Sequence, residues 1–154
     1  MTEVFFYHLE RRTLDDVLPE LLTKTLERGW RALVRAGSAE RVAALDTHLW
    51  TYSPNAFLPH GTAADGHAAR QPVFLTAKDE GPHAANVIFF VDGAAPGDWA
   101  APGVADRERV VVIFDGADTE AVAVARDHWK SAAAAGHAVT YWRQNERGVW
   151  AKLK

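Results

Sequence analysis

The sequence contains no cysteine, which removes disulfide cross-links, thiolate zinc sites, iron–sulfur ligation and a cysteine nucleophile from consideration together. It has no apolar run near the ~18 residues that a membrane-spanning helix needs. The apolar stretch at its start, Val4 to Tyr7, is short, with Glu3 where a secretory leader would place Lys or Arg. A cytoplasmic location is expected on these grounds. A surplus of positive charge is also missing: 17 Lys and Arg stand against 20 Asp and Glu, a formal charge of -3. Proteins that track phosphate backbones carry the opposite sign, so direct, tight DNA binding is not expected.

What is present is the composition of a globular chain. The 154 residues are 48% hydrophobic and 24% charged, enough for one domain over residues 1–154 with a core burying roughly 70% of the unfolded surface. Val4-Phe5-Phe6-Tyr7 reads as a first, buried strand. Thr13 then caps a segment with Leu14, Val17, Leu18, Leu21, Leu22 and Leu26 at helical spacing, closed by Gly29 and interrupted by Pro19, which either kinks it or falls early enough to be tolerated. Residues 30–35 read as a second strand. Ser38 caps a second helix that carries Val42, Leu45, Leu49 and Trp50.

From Thr51 to Pro72 the pattern breaks into a long irregular connection, a length usually tied to function or disorder. Strands resume over residues 73–76, 87–91 and 110–114 as near-continuous apolar runs, the pattern of strands buried on both faces. An irregular stretch from Gly93 to Gly103, a third helix over 119–135 stopped by Gly136, and strands over 137–142 and 148–153 complete the chain. The alternation predicts an α/β fold with a mainly parallel central sheet flanked by helices.

Such a sheet invites a nucleotide at its strand ends, yet no G-x-G-x-x-G follows the first strand, where the chain reads His8-Leu9-Glu10, and no P-loop pattern occurs. The fold is thus Rossmann-like without a nucleotide-binding motif. There is no H-E-x-x-H pair, His60 and His67 lie in a glycine-rich loop without metal-ligand spacing, and no G-x-S-x-G elbow exists. No metal or cofactor is expected. The rival class is a small Rossmann-like hydrolase or nucleotide-dependent enzyme with its site near His8 and Asp92.

Two features remain. Trp50, Tyr52, Phe57 and Leu58 cluster with Pro59 and His60 at a helix end and the loop after it, either as a lid on the core or as interface anchors; His60 there suits a backbone hydrogen bond that holds the loop. In the last helix Arg126, Trp129 and Lys130 share one side. That trio suits an anionic peptide with an apolar end, although helical periodicity by itself favours a core stripe of Val122, Ala125, Trp129 and Ala133 with two solvated cations beside it. Charge is divided: eight Lys and Arg against six Asp and Glu from residue 107 onward, nine against fourteen before it, or +2 and -5.

The ordered set of Val4-Phe5-Phe6-Tyr7, Glu27-Arg28-Gly29-Trp30-Arg31, Leu49-Trp50, Phe57-Leu58-Pro59-His60 and Ala125-Arg126-Asp127-His128-Trp129-Lys130 before Gly136 resembles the chi subunits of bacterial DNA polymerase III, accessory proteins of the clamp-loader complex. The resemblance covers essentially the whole chain. It implies a nucleotide-binding-like domain that binds no nucleotide and catalyses nothing. It further implies a surface for the acidic, phenylalanine-ended C-terminal tail of single-stranded-DNA-binding protein at Arg126, Trp129 and Lys130, with Trp129 where the family commonly has Tyr. A family lysine one turn earlier falls on Val122, so one contact to the tail is missing. A second implied surface, at Trp50 and Phe57 with Pro59 nearby, meets the psi subunit or another clamp-loader-side or repair protein.

Overall fold

The first apolar run forms β1, Glu3–Leu9, the best-connected strand of the fold. The computed structural model describes residues 2–10, 12–51, 60–62, 72–78, 85–147 and 149–153. After β1 come α1 (Leu14–Glu27), β2 (Ala32–Arg35), α2 (Ala39–Thr51), the two-residue β3 (Gly61–Thr62), β4 (Val73–Thr76) and β5 (Val87–Phe90). A single helical turn α3 (Pro102–Ala105), β6 (Arg109–Asp115), α4 (Thr119–Ala134), β7 (Ala138–Gln144) and β8 (Trp150–Lys152) follow. Thr13 precedes α1 as expected, and its N–H donates to the Asp16 carboxylate at 3.4 Å. Ser38 caps α2, its hydroxyl accepting from Arg41 N–H at 3.2 Å. Gly29 and Gly136 close α1 and α4 with φ of +81° and +90°, the left-handed region that favours glycine after a helix.

The strands form one sheet in the order β3-β4-β2-β5-β6-β1-β7-β8. Every neighbouring pair is parallel except β7 and β8. This is a single-domain α/β fold with helices on the sheet. The short β3 falls within the stretch that reads as irregular in sequence; a two-residue strand has no periodicity to betray it.

The two-residue repeat of the strands divides the interior into two cores. Tyr7 and Leu9 with Val34, Phe89, Val111 and Ile113 pack under α1 and α2. Val4 and Phe6 with Leu33, Phe90, Val110, Val112 and Phe114 pack on the other face under α4. Trp99 joins that second core at 4% exposure. Its indole N–H donates to His128 Nδ1 at 3.3 Å, and His137 Nε2 donates to its carbonyl at 2.6 Å. The irregular stretch after β5 is thereby tied to α4 and to the residue before β7. Among the described residues no helix is long and apolar enough to cross a membrane.

Candidate functional site

The α4 face begins with a local cap: the Asp118 carboxylate accepts from Glu120 N–H at 3.0 Å and Ala121 N–H at 3.2 Å. From there a stripe of Val122, Ala125, Trp129 and Ala132 meets the sheet. The sequence pattern places Ala133 in this stripe, but Ala133 is exposed and Ala132 is buried; on a helix 3.6 residues per turn both register choices look alike until the helix is seated. The Trp129 ring lies 5.6 Å from that of Phe6 and 5.9 Å, edge-on, from that of Tyr141. Trp129 remains partly exposed, so it is at once a core contact and a surface group. Arg126 and Lys130 are exposed, and neither makes an ion pair with a described residue. Val122 packs onto the core, which accounts for an apolar residue at that turn.

Beside Trp129 stands a hydrogen-bonded pair, His8 and Tyr141, that no pattern along the chain joins. The Tyr141 ring on β7 neighbours His8 on β1, and Tyr141 Oη lies 2.6 Å from His8 Nδ1. His8 Nε2 faces the Glu10 carboxylate at 3.5 Å, which only accepts, so Nε2 carries the proton and Nδ1 accepts from the tyrosine hydroxyl. Burial lowers the His8 pKa, with the Arg143 charge next in weight. Burial raises that of Tyr141, opposed by Arg143 and Arg126 without being overcome. Both groups are therefore neutral near pH 7. Arg143 Nε donates to Glu10 at 2.6 Å and closes the cluster. These residues come from distant parts of the chain and share no sequence motif; only the parallel pairing of β1 with β7 brings them together.

At the end of α2, Trp50 is 50% exposed while Leu49 beside it is buried. The Trp50 ring lies 4.2 Å from that of His60. His60 is buried, with Nε2 at 3.1 Å from the Asp46 carbonyl and 3.0 Å from its carboxylate, so the backbone contact expected of it is present. Trp50 is thus not a lid on the core but an outward ring braced by an anchored imidazole. Phe57, Pro59 and His67 lie outside the described residues.

The strand ends hold a cleft of about 780 Å³, where a nucleotide would sit in a fold of this shape. Asp92 lines it, but its carboxylate accepts from Arg41 Nε at 2.9 Å. Glu10, Asp115, Asp118 and Glu120 also line it, and Asp118 occupies the N–H groups at the start of α4. Arg12 and Arg41 also line it, but Arg12 donates to Glu20 and Arg41 to Asp92, so a phosphate there would compete with carboxylates for its donors. His8 is not part of this lining, so the two residues named for an enzymatic site are not brought together in it. Among the described residues no group of three His, Asp or Glu is placed to hold a metal ion.

The sequence profile of the family described as "DNA polymerase III chi subunit, HolC" matches residues 1–140. A Rickettsia prowazekii (strain Madrid E) protein named "Probable DNA polymerase III subunit chi" is 25% identical over 91 residues, 59% of this chain and 55% of that protein. The match thus spans little more than half the length of that relative.

Proposed function

The chain belongs to the DNA polymerase III chi subunit family, and from that premise we propose that it is a non-enzymatic adaptor, one chi-like domain over residues 1–154. In this reading it binds the acidic C-terminal tail of single-stranded-DNA-binding protein and links it to the clamp-loader complex in replication. One observation carries the reading: two exposed cations without ion-pair partners among the described residues, Arg126 and Lys130, flank the half-buried Trp129. The tail's carboxylates meet the cations and its terminal phenyl ring packs on the indole. The positive remainder of the chain from residue 107 onward favours the approach of an acidic partner and makes binding weaken with salt. Tyr141 borders the same surface. The cleft at the strand ends supports a non-enzymatic reading, since carboxylates outnumber cations in its lining and Asp118 already occupies N–H groups at the start of α4.

Trp50, Phe57 and Pro59 form the second contact, toward the psi subunit or another clamp-loader-side or repair protein. The half-exposed Trp50 ring, held by His60, is the kind of rigid aromatic anchor that interfaces use.

Calorimetric titration with an acidic peptide ending in phenylalanine tests the first contact. Arg126→Ala and Lys130→Ala should each weaken binding about tenfold, the loss of one charge-assisted contact. Undiminished affinity in both folded variants would reject the assignment. Thermal stabilisation by nucleotides, with none by the peptide, would favour the enzymatic class instead.

A further inference from the structure

The sheet face opposite α4 carries a second, smaller pocket of about 350 Å³ between α1 and strands β1, β5 and β6. Its charged lining is Lys24, Arg28 and Arg109 against one acid, Glu27. Lys24 and Arg28 near the end of α1 complement the negative end of the helix dipole. That accounts for neither the position nor the state of Arg109, which arrives from the start of β6. The Arg109 guanidinium carbon lies 4.3 Å from the Phe5 ring and 5.2 Å from the Trp30 ring, and that of Arg28 lies 4.2 Å from the same Trp30 ring. One indole thus gathers two like charges, an arrangement that favours an anion between or beside them. Glu3 engages Arg109 only at Nη2, at 3.1 Å. The Arg109 Nε–H is buried and meets no acceptor among the described residues, and buried donors are rarely left so. Tyr7 lines the same space, its pKa pushed up to about 12 by burial, and a protonated hydroxyl there donates.

We propose that this pocket binds a phosphate group, gripped by Arg109 and Arg28, with Lys24 adding charge and the Tyr7 hydroxyl donating. A carboxylate shares the chemistry, but a phosphate's two charges and larger number of acceptor oxygens match three cations and a hydroxyl better. The site lies across the sheet from Arg126 and Lys130 and does not depend on the adaptor reading.

The test titrates the full-length, nitrogen-labelled chain with inorganic phosphate, and separately with acetate, at ionic strength held constant with chloride. The arginine Nε–H and tryptophan indole N–H resonances report. A saturable shift of the Arg109 and Trp30 signals is expected, tighter for phosphate than for acetate, about tenfold weaker in Arg28→Gln and Arg109→Gln, and unchanged in Arg126→Ala. Arg28 is exposed, so Arg28→Gln keeps the test decisive if Arg109→Gln fails to fold. No saturable shift at tens of millimolar, equal affinity in Arg28→Gln, or acetate binding more tightly than phosphate would overturn the proposal.

Discussion

His48 on α2 takes over the carbonyl that Pro19 deserts in α1: its Nε2 donates to the Asp15 oxygen at 2.6 Å, the atom that an N–H at residue 19 would otherwise serve. Proline inside a helix removes that donor and crowds the carbonyl four residues back. Here α1 runs through Pro19 without ending, and the orphaned acceptor becomes the point at which the second helix is pinned to the first. His48→Ala should destabilise the domain by about 1 kcal/mol. In the Pro19→Ala background, where residue 19 regains its N–H, the same change should cost less. A double-mutant cycle in urea reads the coupling; additive effects would show that the two residues act separately.

Gly116 sits against His8 and the β1 terminus. A Cβ there would come within 2.1 Å of His8 Nε2 and 2.4 Å of the Leu9 carbonyl. The carbonyl is backbone and cannot swing aside, so Gly116→Ala should cost about 3 kcal/mol and loosen the His8–Tyr141 hydrogen bond. A urea midpoint equal to that of the unmodified chain would show that the turn after β6 yields freely.

Trp129→Ala removes a ring packed on Phe6 and Tyr141. It should lower stability by about 3 kcal/mol as well as weaken binding of an acidic peptide, so it is a poor probe of binding by itself. Arg126→Ala, fully on the surface, should leave stability within about 0.5 kcal/mol. Denaturant curves recorded beside the calorimetry separate the two effects.

Trp50→Ala should leave binding of the acidic peptide intact, because Trp50 ends α2, whose Leu45 and Leu49 pack on the sheet face opposite the one that α4 covers with Trp129. Its stability cost should stay near about 1 kcal/mol, the ring being half exposed. Pull-down of clamp-loader components should be the activity that falls; loss of both activities together would mean that Trp50 is structural.

Stability should also fall on mild acidification. Burial holds the pKa of His8 and of His128 below the ordinary 6.5. The unfolded chain therefore takes up protons at these positions first, and stability present above about pH 6.5 is lost as the pH drops through the folded-state values. His8→Gln should make the slope of the urea midpoint between about pH 7 and about pH 5 shallower. A slope unchanged in that variant would remove His8 as a contributor.

Much of this was readable along the chain. The continuous apolar runs at Val73, Val87 and Val110 announced strands covered on both faces, and Thr13, Ser38, Gly29 and Gly136 marked helix ends, because caps and periodicity act through neighbouring residues. The ordered aromatic and basic residues also carried the family resemblance, and the trio Arg126, Trp129 and Lys130 was visible at helical spacing. Periodicity did not say which side of that trio faces inward. Only seating α4 on Phe6 and Tyr141 made Trp129 half core and half surface and left Arg126 and Lys130 outside. Likewise the His8–Tyr141 pair, the Arg28–Trp30–Arg109 cluster and the bond from His48 to Asp15 join residues far apart in sequence. Local propensity determined the elements; strand order and helix docking decided the neighbours, since contacts between distant residues exist only once the sheet has been assembled.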